Sequence, residues 1–144
     1  MTIYQISVFL ENRAGQLSEI TGILADEGID LRAINIAEAS DYGVLRIIAS
    51  DPRKAARILS ELNYVVNVTP VVAVEVEDKA GGLHSVMKVI TDAGIDIGYM
   101  YSSFGKNDGV AYMIFRVDEP DKLADVLEKS GIYAASPEEI GVIQ

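Results

Sequence analysis

The sequence predicts an α+β protein of two β-α-β-β-α-β units side by side, each an antiparallel sheet with its helices on one face. Three observations lead there. The chain repeats itself. Within each copy the apolar period switches between the two residues of a strand and the 3.6 of a helix. Gly, Pro, Asn and Asp stand at the switches. A shift of 66 lays Val8–Leu31 on Val74–Ile97 with nine identities in 24 positions, among them Glu11/Glu77, Gly15/Gly81, Leu17/Leu83 and Gly28/Gly94. Gly43-Val44 falls on Gly109-Val110 at the same shift, and Asp51-Pro52 falls on Glu119-Pro120 at a shift of 68. The second copy therefore carries a two-residue insertion. The domains expected are residues 1–69 and 70–144, joined near Asn67-Val68-Thr69-Pro70 by a segment too apolar for a flexible linker.

Each element follows from its residues. Ile6, Val8 and Leu10 alternate as in a strand, and Val72, Val74 and Val76 repeat the pattern. After a short turn, Leu17, Ile20, Ile23 and Leu24 form a helical stripe that Gly28 stops in the left-handed conformation. Leu83, Val86, Val89 and Ile90 do the same before Gly94. A second strand near Asp30–Glu38 leads to a turn at Ser40-Asp41-Tyr42-Gly43, matched by Gly105-Lys106-Asn107-Asp108-Gly109. Strand three is Val44–Ala49 or Val110–Val117. Asp51-Pro52 starts a helix, since Asp caps free N–H groups and Pro fits the first turn. Ile58, Leu59 and Leu62 are its stripe; Leu123, Val126 and Leu127 serve the second copy, closed by Ser130-Gly131. Fourth strands are expected near Tyr64–Val68 and Tyr133–Ala135. This order is the ferredoxin-like plan. Alternate strand residues, among them Phe9, Arg46, Ile48, Tyr112 and Ile114, face away from the helices. That face is apolar enough to need a cover, from a partner chain or from loops and the C-terminal segment, and a homodimer is the expectation drawn from it.

Composition narrows the function. The 144 residues are 49% hydrophobic and 24% charged, ordinary for a folded chain. Cysteine is absent and His84 is the single histidine, so thiolate catalysis and multi-histidine metal sites are excluded. Twelve Lys and Arg against 22 Asp and Glu give a net charge of −10 without a basic run, which argues against nucleic acid as a partner. No signal-like start and no apolar run of membrane-spanning length stand out, so the chain is expected in the cytoplasm, with no membrane partner. His84 reads as a solvated helix residue, and Glu75, Glu77 and Asp78 as an acidic strand end. No spacing isolates a nucleophile with its base, a carboxylate pair or a phosphate loop. The expectation is a protein without catalytic activity and without cofactor.

The turn after the first strand is different. It reads Asn12-Arg13-Ala14-Gly15-Gln16-Leu17 in one copy and Asp78-Lys79-Ala80-Gly81-Gly82-Leu83 in the other. Helix-start N–H groups suit a carboxylate, an Asn or Asp side chain can accept from an ammonium group, and glycine admits close approach. An α-amino acid carries both groups. Spacing alone equally allows Asn12 and Asp78 to cap the helix while Gly15 and Gly81 make the turn.

Strand, turn, helix and then Gly28-Ile29-Asp30-Leu31, repeated through Gly94-Ile95-Asp96-Ile97, resembles the ACT domain family. Its usual pattern has Pro where Ala14 and Ala80 stand, and often Asn where Asp30 and Asp96 stand. The resemblance covers two domains and weakens after Gly131. It implies a regulatory module that binds an amino acid or related metabolite where the first loop of one ACT domain meets the second strand of its neighbour. Carried onto this chain, the ligand-binding residues are the two turns together with Ile34 and Asn35 from one second strand and Met100 and Tyr101 from the other. The Asn12 turn ranks first, because a neutral amide does not repel a ligand carboxylate. Tyr99 and Tyr101 can equally be core or interface aromatics. A partner enzyme is implied. The alternatives are a regulatory subunit like the acetolactate synthase small subunit, an interaction module without ligand, or an acylphosphatase-like enzyme, for which neither copy supplies the glycine-rich loop.

Overall fold

The computed structural model describes residues 2–11, 13–38, 41–104 and 109–143. In order they form β1 (Ile3–Leu10), α1 (Gln16–Asp26), β2 (Leu31–Glu38), β3 (Gly43–Ala49), α2 (Pro52–Glu61), β4 (Val66–Glu77), α3 (Gly82–Asp92), β5 (Tyr99–Ser102), β6 (Val110–Arg116) and α4 (Pro120–Lys129), followed by a 3₁₀ turn at Glu138–Ile140. Two compact units result. The first comprises Tyr4–Thr69 with Gly141–Gln144; the second comprises Pro70–Ile140 with Met1–Ile3. Among the described residues no helix is long and apolar enough to cross a membrane.

In the first unit the strand order is β2-β3-β1-β4. Both β1 and β2 pair antiparallel with β3, with Val8 opposite Leu45 and Ile36 opposite Leu45 on its other side. The helices bury their stripes on one sheet face. Ile20 and Leu24 of α1 and Ala55, Ile58 and Leu59 of α2 meet Ile6, Val8, Leu45, Ile47 and Ala49. In the second unit the order is β4-β6-β5, with Val74 opposite Met113 and Tyr101 opposite Ile114. Val86, Ile90, Leu123 and Leu127 pack there on Val72, Val74, Phe115 and Val117. Leu59 and Leu127 are both fully buried, and truncating either to alanine costs about 2–5 kcal/mol.

The helix ends follow their sequences. Gly28 has φ +72° and its N–H donates to Ala25 O, while Ile29 N donates to Leu24 O at 2.9 Å. Gly94, at φ +69°, closes α3 with the same pair of bonds. The Asp51 carboxylate accepts from Lys54 N at 3.1 Å, with Pro52 in the first turn. Glu119 holds the matching place in α4 and makes no side-chain cap bond.

Four expectations change. The first copy's last strand and the second copy's first are one continuous strand, β4, and the Asn67–Pro70 join lies inside it. Apolar and β-branched residues on both sides leave nothing to break the extended backbone. Second, the register sets Leu10 opposite Gly43 but Val76 opposite Ala111. Gly43 therefore matches Ala111, not Gly109, and β3 and β6 already align at a shift of 68. The insertion precedes β6. Of the two expected turns, Ser40 and Gly105–Asp108 lie outside the described residues. Third, the strand expected at Tyr133–Ala135 shrinks to a bridge between Ala134 and Val74, with Ala135 N donating to Ala73 O at 2.7 Å. Pro137 lacks an N–H, and Ser136 turns the chain by accepting from Glu139 N. Fourth, Ile48, Tyr112 and Ile114 are buried within the single chain. Phe9 packs its ring at 5.7 Å from Tyr42, and Arg46 Nη1 donates to Asn35 Oδ1 at 3.2 Å. The chain itself thus covers Ile48, Tyr112 and Ile114, while Phe9 keeps 37% of its surface exposed.

Candidate functional site

Each unit has a cleft at the same place, where its first long strand ends, its first helix begins and the chain returns after its second helix. In the first unit the cleft is about 310 Å³ and is lined by Glu11, Arg13, Gln16, Glu19, Ile23 and Leu62–Tyr64. In the second it is about 330 Å³, lined by Glu75–Glu77, Lys79, Gly82, Ser85, Val86 and Gly131–Tyr133.

The turns that rim them share one backbone device. Gly15 and Gly81 cap their helices at φ +85° and +84°, and neither helix has a side-chain cap bond. Asp78 is therefore not a cap; Asn12 lies outside the described residues. The first intrahelical bonds run from Glu19 N to Gly15 O and from Ser85 N to Gly81 O, both 3.0 Å. The N–H groups of Leu17 and Ser18, and of Leu83 and His84, precede them. Arg13 N donates back to Glu11 O at 2.8 Å, as Lys79 N does to Glu77 O at 2.9 Å. Ala14 and Ala80 sit exposed on the turn.

The side chains then diverge. Gln16 is buried, and its Oε1 accepts from Glu11 N at 2.8 Å. Arg13 Nη1 donates to Glu19 Oε2 at 3.3 Å, and the Tyr64 hydroxyl donates to the other oxygen of the same carboxylate. Those two donors, Tyr64 before Arg13, hold the Glu19 carboxyl below its usual range. Desolvation first and the Glu19 bond second push the Tyr64 phenol up. In the second unit Gly82 replaces Gln16, Ser85 replaces Glu19 and Ile132 replaces Tyr64. Gly82 N donates to Lys79 O at 3.0 Å, which draws the turn tight. Lys79 pairs with Glu77 at 2.7 Å, and that contact raises the Lys79 pKa.

The remaining candidates lie elsewhere. Leu17 packs against the first core, and Leu83 is 38% exposed. Ile34 and Asn35 are mid-strand in β2, separated from β1 by β3, so within their own unit they do not reach the cleft. Met100 packs on the second core; Tyr101 is buried, its ring stacked 6.5 Å from Tyr99. His84 is exposed. Among the described residues no group of three His, Asp or Glu side chains could hold a metal ion. Sequence reasoning missed Glu19, Tyr64, Glu75 and Tyr133 as cleft residues. The available signal was divergence: within a repeat that keeps its glycines, Gln16/Gly82 and Glu19/Ser85 change chemistry.

Two β-α-β-β-α-β-type units in tandem, each with a cleft at its first strand–helix turn, define a paired small-domain α+β protein. The sequence profile of the ACT domain pair matches residues 1–139, and the chain belongs to that family. It is similar over 99% of its length to protein BT0572 from Bacteroides thetaiotaomicron, with 38% identity, 98% of that chain covered and a TM-score of 0.91. It shares its fold with the ligand-free regulatory subunit of aspartate kinase from Thermus thermophilus, at 11% identity and TM-score 0.65, covering 88% of this chain and 91% of that one. The corresponding subunit from Thermus flavus matches at 14% identity and TM-score 0.61, covering 88% of each chain.

Proposed function

We propose that this ACT domain pair is a regulatory protein without catalytic activity of its own, which binds an amino acid or a related small metabolite in the cytoplasm and passes its occupancy to a partner enzyme. One observation carries the reading. Both units keep a left-handed glycine that opens a helix N-terminus beside a cleft of about 300 Å³, although their other cleft residues have diverged. A helix start favours a carboxylate, and the acidic lining favours an ammonium group. The fold shared with aspartate kinase regulatory subunits supports an enzyme as the partner. In this reading the turns Asn12–Leu17 and Asp78–Leu83 hold the ligand. Ile34, Asn35, Met100 and Tyr101 contribute where an ACT domain meets a neighbour. The chain works as a homodimer.

A thermal-shift screen of the twenty amino acids tests the reading. A ligand at 100 times its dissociation constant adds about 2.7 kcal/mol of stability, which moves the midpoint by several degrees. A screen in which no amino acid shifts the midpoint overturns the proposal. Sedimentation at micromolar concentration tests the dimer, and a single 15.6 kDa species there removes it.

A further inference from the structure

Gln16 and Gly82 hold the same place in the two units and leave the end of the preceding strand in two different states. In an antiparallel ladder, hydrogen-bonded pairs alternate with non-bonded ones. Asp78 N bonds Gly109 O at 3.0 Å, so the adjoining Glu77–Val110 pair is non-bonded and the Glu77 N–H points away from β6. It points to the side on which Gly131–Tyr133 line the cleft. In the first unit Phe9 N, pointing the matching way, donates to Val65 O at 3.1 Å. Two residues further on, the strand-end N–H of Glu11 is taken by the carboxamide oxygen of Gln16 at 2.8 Å. That side chain is 5% exposed and lines the first cleft, which keeps about 310 Å³ beside it. Gly82 supplies no such oxygen, and a Cβ built there would stand 2.0 Å from the Glu77 carbonyl oxygen.

We infer that Gln16 plugs the backbone donor of the first cleft rather than its space, and that the second cleft is the one that accepts a ligand: one amino acid per chain, whose carboxylate or carboxamide oxygen receives the Glu77 N–H. The inference rests on the amino-acid reading above and reverses the ranking expected from the turn sequences. The second cleft's charge narrows the class. Its lining carries Glu75 and Glu77 against Lys79, which is already paired with Glu77 at 2.7 Å. An ammonium group is welcome there and a further carboxylate side chain is repelled, so the ligand is a neutral or basic amino acid.

The test uses the full ¹⁵N-labelled chain and two readouts. Without any additive, hydrogen exchange at the Glu11 amide should be at least tenfold faster in Gln16→Gly than in the wild type; unchanged exchange overturns the plug. In titrations with L-glutamine, L-lysine and L-glutamate, the Glu77 amide resonance of the wild type should move for at least one of the first two. The midpoint should be at least tenfold lower than for L-glutamate, with Glu11 still. In Gln16→Gly the Glu11 amide should begin to respond. Equal response of Glu11 and Glu77 in the wild type overturns the assignment. So does a positive amino-acid screen that leaves Glu77 unmoved. A screen negative for all twenty removes the ligand half along with the proposed function, while the exchange measurement still decides the plug by itself.

Discussion

The first strand–helix turn places a long polar side chain, Gln16, where the second has Gly82, and the consequences run in both directions. Around Gln16 the turn is wide enough for a side chain, which folds back onto Glu11 N, and Arg13, Glu19 and Tyr64 knit the cleft mouth together. Around Gly82 the backbone closes on itself through Lys79 O, and no side chain at that position reaches back to the strand end. The glycine caps Gly15 and Gly81, by contrast, agree within a degree in φ. The difference teaches that a duplicated unit can keep its backbone device while only one copy satisfies its strand-end N–H with its own side chain.

The strongest way to break the comparison is to exchange the residues. Gly82→Gln has no room: its Cβ meets backbone, the Glu77 carbonyl, at 2.0 Å. The turn must rearrange, at a cost of roughly 1–3 kcal/mol typical of overpacking. Calorimetry should show a clear drop in the unfolding midpoint, and a midpoint equal to the wild type would mean that the two turns are interchangeable. Gln16→Ala works the other way. It strands the Glu11 N–H and should cost about 1 kcal/mol, the scale of one hydrogen bond. Urea denaturation measures it, and a neutral result would show that the Gln16 bond contributes nothing.

The second helices sharpen the same lesson on a smaller scale. Asp51→Ala should cost about 1 kcal/mol, because that carboxylate caps α2. Glu119→Ala in the matching place should stay within about 0.5 kcal/mol, because it caps nothing. Equal losses at the two positions would remove the distinction.

The smallest effect is one of pH. The Glu19 pKa is depressed in the folded chain, so its contribution is complete above the ordinary glutamate range and is lost as pH falls through the lowered value. The Lys79 pKa is raised, so its contribution is complete below the ordinary lysine range and is lost as pH rises through the raised value. The first turn should therefore loosen in acid and the second in base. Carboxyl titration by NMR checks the former: Tyr64→Phe should move the Glu19 midpoint upward, and an unmoved midpoint would deny the Tyr64 bond.

Gly15 separates a conformational constraint from a packing one. Nothing lies within 4 Å of a Cβ built there, so a valine in its place would meet no neighbour. The cost comes from φ +85°, a conformation that disfavours side chains, and β-branched ones most of all. A glycine in a turn announces a conformational need; which neighbours approach it depends on strands distant in sequence.

The sequence by itself determined the duplication, the alternation of strands and helices, the glycine-closed helix ends, the Asp51 cap and the two turns worth attention. All of these are local. Apolar period, cap chemistry and positive φ act within a few residues, so they can be read along the chain. Tertiary structure decided that β4 is one strand, that the insertion precedes β6, that Ile48 and Ile114 are covered, and that Gln16 takes the Glu11 N–H where Gly82 has no side chain to do the same. Each of those depends on which segments meet. The N–H of Glu11 finds its partner only because the end of β1 and the start of α1 are held together by a core drawn from the whole unit, Ile6 through Leu59.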